Sequence, residues 1–189
     1  MEIRSFLAFE LPQEFKEIIS QVLPDMKKFL RDVRWLIPAN IHLTIVFMGS
    51  VPSEQIKPVG ERVAKVCMRY KPFNVSLDGA GLFSGRRIPK VIRVGLAGDI
   101  ARMSRFRNDL HKALLPFGIK REKRRFSPHL TLGRFRRGAR TGKYLDDFLV
   151  RYRDITSPMC KLNELILFQS NLKPDGAVYT RLMGWPLST

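Results

Sequence analysis

Acid, cysteine, histidine and tryptophan are all scarce in this chain. Its 17 Asp and Glu face 34 Lys and Arg across 189 residues, a net charge of +17. A balance so far from neutral directs the search for partners toward polyanions. The two cysteines, Cys67 and Cys160, sit in apolar settings without CxxC spacing. That argues against a disulfide as well as a thiolate metal site, so both are expected as buried free thiols. No apolar run approaches the ~20 residues that a membrane helix needs. The opening MEIRSFLAFELP is too short and too acidic for a secretory signal and reads as a first strand. A cytoplasmic protein is therefore expected. With no exposed heptad or long apolar patch to call for a partner, a monomer is expected as well.

What is present is an ordinary globular share of hydrophobic residues, 44%, on a chain long enough to bury a real core. The charge is unevenly placed. Residues 1–84 carry 11 basic and 9 acidic residues, whereas residues 85–189 carry 23 and 8. The excess gathers at Arg86-Arg87, at Lys120-Arg121-Glu122-Lys123-Arg124-Arg125, and at Arg134, Arg136, Arg137, Arg140 and Lys143.

Hydrophobic periodicity gives the element order. A strand over Ile3–Phe9 precedes a helix that starts at Leu11-Pro12 and buries Phe15, Ile18, Ile19, Val22 and Met26, with Pro24 expected to kink or divide it. Asp32–Asn40 reads as a connection, His42–Met48 as a strand, and Ser53–Arg69 as a helix. Phe73–Phe83 is extended, expected as two pieces broken at Asp78-Gly79. A turn at Ser84-Gly85-Arg86-Arg87 leads into a strand over Val91–Leu96. Asp99 is placed to cap a helix running to Leu115. A basic connection, a strand from His129, a short helix near Tyr144–Tyr152 and two strands, Lys161–Gln169 and Ala177–Met183, complete the chain; Lys173-Pro174-Asp175-Gly176 joins the last two.

Two segments stand out: Asn40-Ile41-His42-Leu43-Thr44-Ile45 and Ser127-Pro128-His129-Leu130-Thr131-Leu132. Each reads His-x-Thr-x with aliphatic residues at both x positions, the alternation of a half-buried strand. His42 and Thr44 share one face and Leu43 and Ile45 the other; His129 and Thr131 do the same against Leu130 and Leu132. The histidines are 87 residues apart. The same shift lays first strand on strand and first helix on helix, with Ala8 against Gly95 and Glu14 against Ala101. The chain is therefore expected to be one bilobal α+β domain over residues 1–189, internally duplicated at about 1–84 and 85–189. Each lobe would be an antiparallel sheet with outer helices, related by an approximate twofold axis, with a cleft between them.

Two imidazoles facing one substrate can act as acid and base in the same step, which suits metal-free cleavage of a phosphodiester. Thr44 and Thr131 would donate to the non-bridging phosphate oxygens. No Cys, Asp or Glu lies within two residues of either histidine, so no metal and no cofactor is expected. The third histidine, His111, shares a polar helix stripe with Ser104, Arg107 and Asn108 and is expected at the surface. Arg134 is the best single phosphate ligand, provided that the strand bulges or ends near Gly133, since strict alternation points it away from His129. Its counterpart in the first lobe is Phe47, which makes the cleft chemically lopsided. Trp35, Phe126 and Phe83 could stack a base, although core packing is the commoner use of such residues.

The chain resembles the two-histidine phosphoesterase superfamily, and within it the RNA 2′,3′-cyclic phosphodiesterases, also called 2′-5′ RNA ligases. The resemblance rests on Arg4-Ser5-Phe6-Leu7-Ala8-Phe9-Glu10-Leu11-Pro12, on both motifs, and on Phe47, Gly49, Phe126 and Arg134. It implies opening of an RNA 2′,3′-cyclic phosphate to a 2′-phosphomonoester without metal, with His42 as proton donor to the leaving 3′ oxygen and His129 as the acceptor that activates water. It also implies a possible reverse ligation. Gly133 departs from the pattern, since many members carry a larger residue there. The rival readings are a non-catalytic RNA-binding module and a phosphodiesterase for small cyclic nucleotides or 2′-5′ oligoadenylate.

Overall fold

The computed structural model describes residues 1–83, 89–122, 125–139, 142–174 and 176–188. The expected turn at 84–87, the basic residues Lys123, Arg124 and Arg140, the side chain of Lys143, and Asp175 lie outside the described residues. In chain order the elements are β1 (Glu2–Phe9), α1 (Gln13–Phe29), β2 (Val33–Trp35), β3 (Leu43–Pro52), α2 (Ile56–Cys67), β4 (Phe73–Phe83), β5 (Val91–Gly98), α3 (Ile100–Leu114), β6 (His129–Phe135), α4 (Gly142–Tyr152), β7 (Cys160–Leu162), β8 (Glu164–Lys173) and β9 (Gly176–Pro186). The α+β class is as expected. β2 falls within the expected connection Asp32–Asn40, three residues being too few to show a period.

All nine strands join one antiparallel sheet. Its order is β7-β4-β5-β6-β3-β1-β8-β9, with β2 alongside β6. Read from the centre outward, the two sides match: β3-β1-β8-β9 on one and β6-β5-β4-β7 on the other. These are the two lobes, and they join where β3 meets β6 through a single pair of facing residues, Leu43 and Leu130. The sides of the sheet do not follow the division at residue 84. β4 belongs to the earlier part of the chain yet pairs with β5, while β8 and β9 return from the C-terminal end to extend β1.

The main core lies between the sheet and the helices. It takes Leu7 and Phe9 from β1, Leu43 and Ile45 from β3, and Leu130 and Leu132 from β6. Phe15, Ile19 and Met26 of α1, Val59 and Val63 of α2, and Met103, Phe106 and Leu110 of α3 meet them. Period-2 alternation sends the intervening residues to the other face, where Phe6, Ala8, Ile166 and Phe168 form a second, smaller cluster with Tyr179 against it. Both faces of β1 are thus buried, which accounts for its unbroken apolar run.

Two local expectations need correction, and a third, Asp99 as N-cap, holds for position but not for the side-chain bond. Pro24 neither ends nor divides α1, which runs on to Phe29. Pro24 and Ser20, whose carbonyl it leaves unbonded, are both exposed, so water can serve that carbonyl. Asp78-Gly79 does not break β4 but forms a bulge, with Gly79 at φ +62° and its N–H donating to the Ile155 carbonyl at 2.7 Å. Asp99 opens α3 with its backbone carbonyl, while its carboxylate accepts from the Asn74 N–H at 2.8 Å and from Arg102 rather than capping the helix.

Candidate active site

The site face is built where β3 and β6 meet. Leu43 faces Leu130, and in an antiparallel pair that register sets His42 beside Thr131 and Thr44 beside His129. Each threonine therefore neighbours the other motif's histidine. Leu43 and Leu130 are buried in the core, so the four polar side chains project from the opposite face, where all four are half-buried. Among the described residues neither threonine hydroxyl has a protein partner, which leaves both free to donate to a ligand.

Both histidines are held in the same way. Nδ1 of His42 donates to the Asn40 carbonyl at 2.8 Å, and Nδ1 of His129 donates to the Ser127 carbonyl at 2.8 Å. A carbonyl can only accept, so each ring carries its proton on Nδ1 and keeps Nε2 as the free acceptor. Asn40 is anchored in turn, its Nδ2 donating to the Ala177 carbonyl of β9 at 2.8 Å.

The surroundings of the two rings differ. His42 stacks on Phe6, with centroids 4.7 Å apart, and meets Tyr179 edge-on at 5.1 Å, with Phe168 behind at 6.3 Å. Burial among these rings pushes its pKa down from 6.5 to about 4. The bond to Asn40 opposes that shift and the charge of His129 adds to it. His129 meets Phe83 edge-on at 4.5 Å. Its pKa is lowered first by burial, against the bond to Ser127, and further by the charges of Arg93 and Arg134. One side of the cleft is aromatic and the other cationic.

Arg134 lies on the face of the histidines because β6 bulges. Ile92 faces Gly133 and Arg93 faces Thr131, so Leu132 is one residue in excess, and the parity of the strand flips beyond it. Arg134 is exposed, and its charge acts on both His129 and Tyr179. Gly133 takes the inward position. A Cβ there would lie 2.6 Å from Val33 Cγ1 and 3.2 Å from Trp35 Cε3, so β2 closes over β6 only with glycine at 133. Ile45, the residue equivalent to Leu132, is likewise in excess on β3, and a second bulge follows at Met48. Phe47 is exposed and packs 6.1 Å from Phe6, where the second lobe has Arg134.

Of the three aromatics put forward for stacking, only Phe83 touches a motif histidine. Trp35 donates Nε1 to the Leu30 carbonyl at 3.4 Å and Phe126 lies under Arg107, both packed against the main core. Phe6, Phe168, Tyr179 and Arg93 were not singled out from the sequence. The shift of 87 residues set Ala8 against Gly95, but Thr44 pairs with Ala8 and Thr131 with Arg93, a slip of two residues between the first strands of the lobes.

His111 is not at the surface. It is only 2% exposed and neither ring nitrogen has a partner among the described residues. Arg107, one turn earlier, is 4% exposed. The polar stripe of α3 faces inward because Arg107 Nε donates to the Ile45 carbonyl at 3.2 Å and its Nη2 to Glu122. Burial, with Arg107 next, holds the His111 pKa below its usual value. Cys67 and Cys160 are buried free thiols. Among the described residues no three His, Cys, Asp or Glu side chains converge as metal ligands would, and no helix is long and apolar enough to cross a membrane.

Residues 36–171, which include both motifs, match the family model of the 2′-5′ RNA ligase superfamily. The chain belongs to that superfamily. An RNA 2′,3′-cyclic phosphodiesterase of Methanothermobacter thermautotrophicus is 28% identical over 180 residues, 95% of this chain and 96% of the relative. One from Aeropyrum pernix is 32% identical over 143 residues, 76% and 80% of the two chains. Among solved structures, TT0787 of Thermus thermophilus superposes with a TM-score of 0.81 at 24% identity over 98% of both chains. LigT of E. coli, crystallised with 3′-AMP, gives 0.76 at 25% identity over 100% of both chains. The superfamily's two-lobed architecture is thus shared from end to end.

Proposed function

We propose that this superfamily member is an RNA 2′,3′-cyclic phosphodiesterase that needs no metal and leaves a 2′-phosphomonoester. The observation that carries the reading is the pair of imidazoles, each tied through Nδ1 to the carbonyl two residues before it and flanking the Leu43–Leu130 pair that joins β3 to β6. Nε2 of His129 takes a proton from water as the water oxygen bonds to phosphorus. The bond from phosphorus to the 3′ oxygen breaks, and His42 gives that oxygen a proton. Thr44 and Thr131 donate to the non-bridging oxygens, with Arg134 as counter-charge. In reverse, an RNA 5′-hydroxyl in place of water would form a 2′-5′ bond. The relatives bearing this activity's name support the reading, as does the cationic wall.

A second reading exchanges the two roles. His42, held at about 4 by burial, is the harder ring to protonate in the free protein. On that reading His129 is the acid and His42 the base. In the first reading the bound phosphate anion must raise the pKa of His42 before it can donate.

The deciding assay offers an RNA ending in a 2′,3′-cyclic phosphate, with EDTA present, and identifies which hydroxyl keeps the phosphate. A 2′-phosphate is expected, with turnover abolished in His42→Ala and RNA binding retained. Activity lost to EDTA and restored by zinc overturns the metal-free reading. RNA binding without turnover in the wild-type chain makes it a binding module. A substrate with sulfur at the 3′ bridging position separates the roles, because its leaving group needs no proton. Only the variant lacking the acid should regain activity on it.

A further inference from the structure

Arg93 projects from β5 directly opposite Thr131, on the face that carries both histidines. Its guanidinium lies over the sheet in a gap left by two glycines. A Cβ at Gly95 would come within 3.0 Å of Nη1, and one at Gly81 within 3.3 Å of Nη2. Phe83, which meets His129 edge-on, lies beneath it with the guanidinium carbon 5.0 Å from the ring centroid. This bed holds a planar cation flat beside His129. No carboxylate pairs with it among the described residues, and its Nε is buried without a hydrogen-bond partner. A buried donor left unmet is costly, and natural proteins seldom carry that cost without a reason. The equivalent place in the first lobe is held by Ala8, so the duplication does not require an arginine here.

We propose that Arg93 is a second phosphate ligand of the active site, donating to the non-bridging oxygen that Thr131 also holds. The assignment rests on the cyclic-phosphodiesterase reading for its substrate. Arg134 approaches from the exposed end of β6 and Arg93 from β5, so the phosphoryl group meets cations from two strands. As charge builds on the non-bridging oxygens in the transition state, a donor already fixed over the glycines stabilises it without rearranging.

The test uses the full chain and two probes, adenosine 2′,3′-cyclic phosphate and inorganic phosphate. Arg93→Met is expected to lower kcat on the mononucleotide by about 10²–10³, the usual loss for one such donor. It should weaken inorganic phosphate at least fivefold, with Arg93→Lys recovering part of both losses. Arg105→Met, an exposed arginine on α3, should change neither. Gly81→Ala crowds no neighbour but the Arg93 guanidinium and should cut kcat several-fold with the fold intact, so it decides the matter should Arg93→Met not fold. Turnover within threefold of wild type in Arg93→Met, or in Gly81→Ala where that variant decides, overturns the assignment. So does a loss confined to oligonucleotide substrates, which would place Arg93 on a neighbouring phosphodiester. A wild-type chain that does not open the cyclic phosphate refutes the proposed function. The affinity for inorganic phosphate still judges Arg93 in that event, and a Kd unchanged within twofold rejects it.

Discussion

Replacing Arg107 by methionine tests whether the two motifs are held from behind as well as from the site face. Arg107 bonds to the carbonyl of Ile45, the surplus residue in the bulge after Thr44, and to Glu122 in the connection that leads to His129. Its guanidinium also lies 5.0 Å from the Phe126 ring centroid. Methionine keeps most of the alkyl packing and removes the donors. Glu122 is more than half exposed, so losing its partner leaves no buried charge behind and costs about 1 kcal/mol or less. The Ile45 carbonyl loses a charged donor, a term of about 1.5–3 kcal/mol. Relief of the buried cation offsets part of that sum. The net loss is about 2 kcal/mol, or roughly 4–8 °C in Tm for a domain of this size. Urea unfolding of Arg107→Met beside Arg105→Met measures it. Because Ile45 directly follows Thr44, a shift of its released carbonyl carries the threonine hydroxyl with it, and kcat well below Tm should fall about tenfold, as misplacement of a positioned group by a fraction of an ångström can cost that much. A stability loss under 0.5 kcal/mol refutes the energetic reasoning. A full loss with kcat unchanged refutes the link between the bulge and the chemistry.

Three further outcomes follow from the site. All three histidines are held below their ordinary pKa, so below about pH 6.5 the unfolded chain takes up protons that the folded one refuses. Stability is then complete above pH 6.5 and falls as the pH drops toward about 4. His42 alone contributes up to about 2 kcal/mol between pH 7.5 and 5, and His42→Gln should lose that much less over the interval in paired urea titrations. Asn40→Ala removes the bond to β9 at 2.8 Å and should cost about 1 kcal/mol with a several-fold drop in kcat, whereas Ser127→Ala, which keeps the carbonyl that His129 uses, should leave kcat near wild type. Gly133→Ala drives a methyl into Val33 and Trp35 and should destabilise by about 1–3 kcal/mol in thermal unfolding while raising the KM that depends on Arg134.

The parts of the fold legible in the sequence are those that local periodicity encodes. The alternation in the two motifs assigns His42, Thr44, His129 and Thr131 to one face, and helical spacing finds the buried sides of α1, α2 and α3. Pairing partners are not encoded locally. Nothing in residues 73–83 shows that the strand joins β5, nor in residues 164–186 that the hairpin returns to β1. That return brings Phe168 and Tyr179 to His42, so the aromatic wall could not be read in advance. His111 is buried, against expectation, for a different reason. A polar stripe ordinarily faces water, but a buried bulge carbonyl needs a donor, and Arg107 turned inward to supply one.

Bulges connect these observations. A strand of strict period 2 would hold the His-Thr pairs but would turn Arg134 and Phe47 toward the helices. One surplus residue, Leu132 on β6 and Ile45 on β3, brings the following side chain back to the site face in each lobe. The two lobes therefore share a backbone irregularity as well as a motif, and what differs is the residue that the irregularity delivers. In the first lobe it is a phenylalanine beside a histidine buried among rings, and in the second an arginine beside a histidine already flanked by Arg93. A nucleotide is lopsided in the same sense, with a flat apolar base at one end and an anion at the other. Two lobes with identical walls would fit neither end well. Divergence at the bulged positions, over a matched pair of imidazole mounts, gives a near-symmetric scaffold one aromatic and one cationic wall, the asymmetry that a nucleotide bound in one direction would need.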